Sequence, residues 1–234
     1  MKAWEDPRIQ KGMRAQLAQR RARMAAGEAA IGWKVGFGAP AAMEKLKISA
    51  PLVGFIMRKA QLPPGASVSL GGWKKPAAEP EIAVYLGKDM PAGGGDGEAR
   101  AAIAALGPAI ELADVDFPPD DVAAILSGDI YQRHVLLGPR DAARAGIKLE
   151  GLRGRVTRSG KPIEVPADLE SNIGRITGIV RHVADTLAAF GEALRAGDFI
   201  ITGSVTPPLY LEKADNEVIF ALDPVGAVSV RFTH

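Results

Sequence analysis

Two hydrophobic periods alternate along the chain, and the points where one gives way to the other mark out its elements. Behind an Asp6-Pro7 start, Ile9, Met13, Leu17 and Met24 recur at helical spacing up to Gly27, which predicts one amphipathic helix. Period two then dominates. In Glu79-Pro80-Glu81-Ile82-Ala83-Val84-Tyr85-Leu86, one face carries Ile82, Val84 and Leu86, and the other carries Glu79, Glu81, Ala83 and Tyr85. The run from Pro108 to Ala113 sets Glu111 opposite Ile110 and Leu112 in the same way. Shorter strands are expected over 31–36, 52–56, 67–70, 130–137 and 199–202. A hairpin is expected with Ser159-Gly160 as its turn, and a closing antiparallel pair with Val218, Phe220, Val228, Val230 and Phe232 inward. Helices are expected over 41–47, from Glu98 to Leu106 with Gly107 as the stop, over 120–126, and over 176–190 along Ile176, Ile179, Val180, Val183, Leu187 and Phe190.

Strands outnumber helices and do not alternate regularly with them. The expected class is therefore α+β, a mixed, mostly antiparallel, rolled β-sheet with a few peripheral helices. There are no repeats, and the Gly-rich run from Pro91 to Gly97 is too short for a domain linker. Residues 1–30 are read as an N-terminal helical segment and residues 31–234 as one catalytic domain.

The chemistry is concentrated on the Glu79 strand. Glu79 and Glu81 point the same way about 7 Å apart, close enough that each raises the other's pKa unless a cation lies between them. A solvated strand face with two unrelated glutamates is the alternative, and Glu111 on a second apolar strand weighs against it. An all-carboxylate set of Glu79, Glu81 and Glu111 suits a hard cation, Mg²⁺ or Mn²⁺, with coordination positions left open for a 2-oxo acid. Lys34 lies between Trp33 and Val35 in a Gly-flanked strand, where partial burial would lower its pKa toward a useful range for proton transfer; the commoner alternative is a strand-edge lysine with its head in water. Gly36, Gly38 and Ala41 satisfy a dinucleotide fingerprint. No acidic residue stands about 20 positions on and no βαβ series follows, so cofactor binding there is not supported.

Composition narrows the class further. The 234 residues are 47% hydrophobic and 24% charged, with a formal net charge of +2, and no basic run is interleaved with aromatics, so no nucleic-acid partner is expected. No apolar run approaches a membrane span, and the chain has no cysteine. A cytoplasmic setting is expected, with no membrane partner. His134, His182 and His234 stand at no metal-ligand spacing, which leaves histidine-dependent metal or triad chemistry unsupported.

Several segments together carry a resemblance: Gly32-Trp33-Lys34-Val35-Gly36, Glu79-Pro80-Glu81-Ile82-Ala83, Ile110-Glu111, Gly197 to Ser204 and Gly226 to Phe232. In this order they resemble the 2-keto-4-pentenoate hydratase and 4-oxalocrotonate decarboxylase branch of the fumarylacetoacetate hydrolase superfamily. The resemblance implies that Glu79, Glu81 and Glu111 hold Mg²⁺ or Mn²⁺, that Lys34 transfers a proton, and that Thr202, Gly203 and Ser204 form a substrate-side loop. It further implies a homo-oligomeric lyase of aromatic catabolism acting on an unsaturated 2-oxo acid through a metal-held dienolate. Where hydratases of the branch read P-D-F-G this chain reads Pro51-Leu52-Val53-Gly54, so Leu52 replaces an aspartate on the substrate side, as in the decarboxylases. The usual Asp-Asn-Ala-Ser run is replaced by Asp129-Ile130-Tyr131-Gln132, and Val115-Asp116 stands where an arginine is usual. The rival readings are an acylpyruvate C–C hydrolase, for which no N-terminal His-Glu pair is available, a non-catalytic metal or ligand binder, and a nicotinamide-dependent oxidoreductase.

Overall fold

The computed structural model describes residues 2–234. Its centre is a long antiparallel pair, β5 (Pro76–Leu86) against β6 (Ile103–Asp114), in which Glu79 stands directly opposite Glu111. On the free side of β5 lies β10 (Phe199–Ser204), followed by β1 (Ala30–Gly36) parallel to β10 and β2 (Leu52–Met57) antiparallel to β1. Beyond β6 come β7 (Gln132–Leu137) and the short parallel β3 (Gln61–Leu62), while β11 (Leu209–Tyr210) adds to the start of β5. A second sheet runs β4 (Ser67–Ser69), β13 (Gly226–Thr233), β12 (Glu217–Asp223), β8 (Arg153–Arg158) and β9 (Lys161–Ile163). Eight of the eleven strand pairings are antiparallel, so the α+β class with a mixed, mostly antiparallel sheet holds. The closing pair forms as its alternation requires, with Val218 opposite Val230 and Phe220 opposite Val228. At the β8–β9 turn Ser159 and Gly160 both take positive φ, as a two-residue hairpin demands.

The helices are α1 (Pro7–Ala25), α2 (Pro40–Leu46), α3 (Asp96–Ala102), α4 (Val122–Ser127) and α5 (Ile176–Ala189). Asp6 caps α1 by accepting from the Arg8 N–H at 2.8 Å. The buried stripe of α1 is Ile9, Gly12, Met13, Gln16 and Leu17, whereas Met24, expected inside, is exposed. Its basic face is largely paired, Arg20 and Arg21 with Glu192 and Arg23 with Glu28. No helix among the described residues is long and apolar enough to cross a membrane.

One sequence expectation is corrected. The helix expected from Glu98 to Leu106 ends at Ala102, and Ile103 to Leu106 open β6 instead. The backbone of β5 from Val84 to Leu86 offers these residues ladder partners, and pairing overrides the modest helix preference of an alanine-rich run. Gly107 is thus a mid-strand residue rather than a helix stop. The dinucleotide fingerprint fails on topology, since β1 and β2, which flank α2, are antiparallel neighbours and make no βαβ unit.

Both faces of the central strands are buried. Ala78, Ile82, Val84 and Leu86 join the main core, while Ala83, Ala109, Val135, Phe199 and Ile201 form a small second core on the glutamate face. That second core lies just beyond the carboxylates along the strands, since Ala83 follows Glu81 by two residues, Ala109 pairs with Glu81 and Val135 pairs with Glu111.

Helix α1 meets α4 through Gly12, where an added Cβ would stand 2.5 Å from Leu126 Cβ and 2.9 Å from the Ala123 carbonyl oxygen. Ala at this position improves helix propensity by up to about 1 kcal/mol, but overpacking against a backbone carbonyl costs about 1–3 kcal/mol, so the clash wins. Gly12→Ala should therefore lower the urea unfolding midpoint. A raised midpoint would show that α1 can shift away from α4 at no cost.

Candidate metal centre

The alternation of β5 and β6 brings Glu79, Glu81 and Glu111 to one place, with a carboxylate oxygen of each within 4.8 Å of the others. Glu81 and Glu111 are buried, Glu79 is half-buried, and Glu111 Oε2 meets no hydrogen-bond partner among the described residues. A buried carboxylate oxygen that no donor reaches is the kind of group a cation satisfies, and three carboxylates without nitrogen or sulfur ligands suit a hard one. The donor set therefore fits Mg²⁺ or Mn²⁺.

Lys34, on β1, is 1% exposed, and its ammonium donates to Glu111 Oε1 and to the Ile130 carbonyl at 3.1 Å. Gly54, its cross-strand partner on β2, leaves the room this requires, because a Cβ there would lie 2.8 Å from Lys34 Cγ. The segment expected as a substrate-side loop is the end of β10. A register shift between Ile201 and Ser204 puts Gly203 at φ +95°, and its N–H donates to Glu81 Oε2 at 2.6 Å. A bulge thus re-aims one backbone donor onto a carboxylate. Thr202 Oγ1 donates to the Ile82 carbonyl at 3.0 Å, while Ser204 Oγ has no partner among the described residues.

Above the carboxylates lies a cavity of about 290 Å³. Lys34, Glu79, Glu81, Thr202, Gly203 and Ser204 line it, and most of the remaining wall is apolar, including Val35, Phe37, Leu46 and Ile130. Leu52 is not on this wall. It is buried and borders a separate small hollow with Ile9, Met13, Leu126 and His182. Tyr131, from the run that departs from the family pattern, is on the wall, and wall residues that the sequence did not single out include Asn172 and Tyr210. Asn172 Nδ2 donates to the Ser204 carbonyl at 2.7 Å and so braces the end of β10. Only strand and loop proximity identifies them, since Asn172 is remote in sequence from every motif.

Residues 29–232 match the family described as fumarylacetoacetate (FAA) hydrolase, C-terminal. The chain belongs to the fumarylacetoacetate hydrolase family. Among its relatives, a 2-hydroxyhexa-2,4-dienoate hydratase of Comamonas testosteroni is 30% identical over 223 residues, covering 91% of this chain and 82% of that protein. A 4-oxalocrotonate decarboxylase of Pseudomonas putida is 26% identical over 216 residues, covering 91% and 81%. The solved structure of 4-oxalocrotonate decarboxylase from Pseudomonas putida G7, complexed with magnesium and adipate, superposes with a TM-score of 0.84 at 25% identity, covering 93% of this chain and 83% of that one.

The electrostatics of this fumarylacetoacetate hydrolase-family site depart from the sequence reading at Lys34. Burial does pull its pKa down, as expected, but the charges of Glu111, Glu79 and Asp129 outweigh burial and leave the ammonium holding its proton more tightly than a free lysine. The carboxylates move up. Burial, then repulsion from Glu111 and Glu79, lifts Glu81 well above the usual range, and burial lifts Glu111 to about 7 despite the opposing Lys34. An acid whose folded pKa is raised gives the metal-free fold stability that is present below about 4.5 and is lost as pH rises through about 7. A cation reverses the balance, because it binds the deprotonated oxygens. Mn²⁺ affinity measured by isothermal titration should therefore weaken as pH falls below about 7, with proton release on binding. Glu81→Ala should abolish most of the binding, and unchanged affinity in that variant would remove Glu81 from the ligand set.

Proposed function

We propose that this chain is a divalent-metal-dependent lyase of the 2-keto-4-pentenoate hydratase and 4-oxalocrotonate decarboxylase type, acting on an unsaturated 2-oxo acid, with decarboxylation ahead of hydration. The observation that carries this reading is the convergence of Glu79, Glu81 and Glu111 with the buried Lys34 beside a largely apolar cavity that Lys34, Glu79 and Glu81 line. In this reading the three glutamates hold Mg²⁺ or Mn²⁺, and the end of β10 receives the substrate with the free Ser204 hydroxyl and the Gly203 backbone. When bound, the ion supplies Lewis-acid polarisation of the keto group. A cytoplasmic homo-oligomer completes the proposal, in keeping with a cysteine-free chain.

The chain's own groups favour one reaction of the pair. Hydration needs a base to aim water at the distal alkene carbon, and the acidic residues on the cavity wall are Glu79 and Glu81, both placed for the cation. Leu52 supplies no such base. Decarboxylation breaks the bond between the distal carboxylate and its neighbouring carbon, releases carbon dioxide, and sends the electron pair through the intervening double bond to the keto oxygen, after which a carbon of the chain takes up a proton. Lys34 Nζ is charged and stands beside Glu111, where it can return a proton to the carbon skeleton. Apolar walls exclude competing water. The C–C hydrolase alternative lacks its histidine, because His134 stacks on Trp73 and His182 bonds the Pro51 carbonyl at 2.8 Å, both off the cavity wall.

The test is carbon dioxide release from 2-oxo-enedioates against formation of 4-hydroxy-2-oxo products from 2-hydroxydienoates, each with Mn²⁺ and with products identified by mass. Carbon dioxide release should dominate, and efficient hydration would reverse the assignment. Turnover of neither class would favour a non-catalytic binder. In the Mn²⁺-loaded protein the ion's charge stands in for the lost ammonium, so Lys34→Met should stay folded and metal-bound. Its turnover should fall by about 10²- to 10⁴-fold, and a rate within a few-fold of the parent's would make Lys34 structural.

A further inference from the structure

Asp129, Ile130 and Tyr131 take φ values of 52°, 53° and 60°, three successive non-glycine residues in the left-handed region. L-residues resist this conformation, and a β-branched residue resists it most, so the segment persists only because its surroundings impose it. The imposing contacts are visible. Asp129 Oδ1 accepts from the Phe55 N–H of β2 at 3.0 Å, and the Ile130 side chain fills the space over Gly36, where an added Cβ would meet Ile130 Cγ2 at 2.7 Å. The Tyr131 ring packs on Phe117 with centroids 4.5 Å apart, and its hydroxyl donates to the Phe117 carbonyl at 3.2 Å.

What the turn delivers is a carbonyl. Ile130 O is the second acceptor of the Lys34 ammonium, opposite Glu111 Oε1. Asp129 and Lys34 meet over the same glycine, since a Cβ on Gly54 would stand 2.9 Å from Asp129 Oδ1 and 2.8 Å from Lys34 Cγ. Asp129 itself does not line the cavity, so it does not touch substrate.

We propose that Asp129 is a positioning residue for Lys34: its side-chain oxygen ties the left-handed turn to β2, so that the Ile130 carbonyl holds the ammonium in place beside Glu111. The required property is a hydrogen-bond acceptor at that point, not a charge. Burial pushes the Asp129 carboxyl up to about 8, against the Phe55 N–H and Lys34, which agrees with a group used for its oxygen. The consequence for turnover rests on the proton-transfer role assigned to Lys34 above, whereas the positioning itself does not.

Two variants separate the possibilities. Asp129→Asn keeps the acceptor and removes the ionisable group, whereas Asp129→Gly removes the acceptor while glycine accepts the left-handed backbone, which guards against simple unfolding. The first readout is the ¹H–¹⁵N signal of the Lys34 side-chain ammonium in ¹⁵N-lysine-labelled protein loaded with diamagnetic Mg²⁺. It should be preserved in Asp129→Asn and shifted or lost in Asp129→Gly. The second is steady-state kinetics on the best 2-oxo acid, where Asp129→Gly should lose about 10²-fold in kcat, with KM and Mn²⁺ affinity unchanged and Asp129→Asn close to the parent. An unaltered ammonium signal in Asp129→Gly overturns the proposal, as does an Asp129→Asn protein as impaired as Asp129→Gly. If the parent protein turns over no 2-oxo acid but the signals follow the expected pattern, the positioning stands and the lyase reading falls.

Discussion

Three carboxylates and one ammonium meet where β5, β6 and β1 come together, and their mutual electrostatics constrain everything around them. At separations near 4.8 Å, two like charges repel by about 3 kcal/mol at an effective dielectric of 20. One ammonium cannot offset three such carboxylates. The remainder must be taken up by protons or by a cation, and burial together with this repulsion lifts Glu111 to about 7 and holds Glu81 well above the usual carboxylate range. A fold that forces these groups together against that repulsion must do so with contacts that do not depend on them. The β5–β6 ladder provides such contacts, because its register is fixed by two buried faces. A slip of one residue would turn the glutamates into the main core and the core into the site.

The same ladder explains the choice of small residues around the site. Gly54 makes room for Lys34, Gly36 for Ile130, and Gly203 for the bulge that turns an N–H toward Glu81. Each removes a side chain where a functional group or its support must pass. The second core of Ala83, Ala109, Val135 and Ile201 closes the sheet interior beyond the carboxylates and keeps water from solvating them from behind. Burial thus raises the carboxyl pKa values while holding the groups in register, which are the two conditions for a tight but pH-sensitive cation site.

How much of this was legible in the sequence follows from the range of each interaction. The pairing of Glu79 with Glu81 and the inward aim of Glu111 were readable because period two is a local property. The sheet class was readable for the same reason. The start of β6 at Ile103 was not, since an Ala-rich run is locally helical and only the open edge of β5 makes it a strand. For Lys34 the sequence left partial burial open beside a solvated strand-edge lysine, and burial alone gave the wrong sign for its pKa, because its partners Glu111 and Ile130 come from elements 77 and 96 residues away. Leu52 was placed by motif position, which fixes a site on a strand and not which hollow the side chain enters. No sequence signal marks the left-handed run from Asp129 to Tyr131, where tertiary contacts set the backbone against the preferences of all three residues, at a local cost of about 1–2 kcal/mol each.

The sign of the Lys34 shift bears on the direction of proton traffic. A lysine that holds its proton more tightly than usual is a positive charge near neutral pH, and in the proposed lyase it would enter the cycle as a donor rather than as a base. The charges that hold its proton are those of Glu111, Glu79 and Asp129, and two of these offer oxygens to a cation. Satisfying those oxygens removes part of what binds the proton, so the acidity of Lys34 is tied to occupancy of the carboxylate cluster rather than set once by burial. The Ile130 carbonyl, which has no charge to lose, is then the contact that keeps the ammonium in place while its electrostatic partner is engaged elsewhere. A neutral acceptor supplied by a rigid, left-handed turn suits that task better than another carboxylate, which would bind the proton as well as the position.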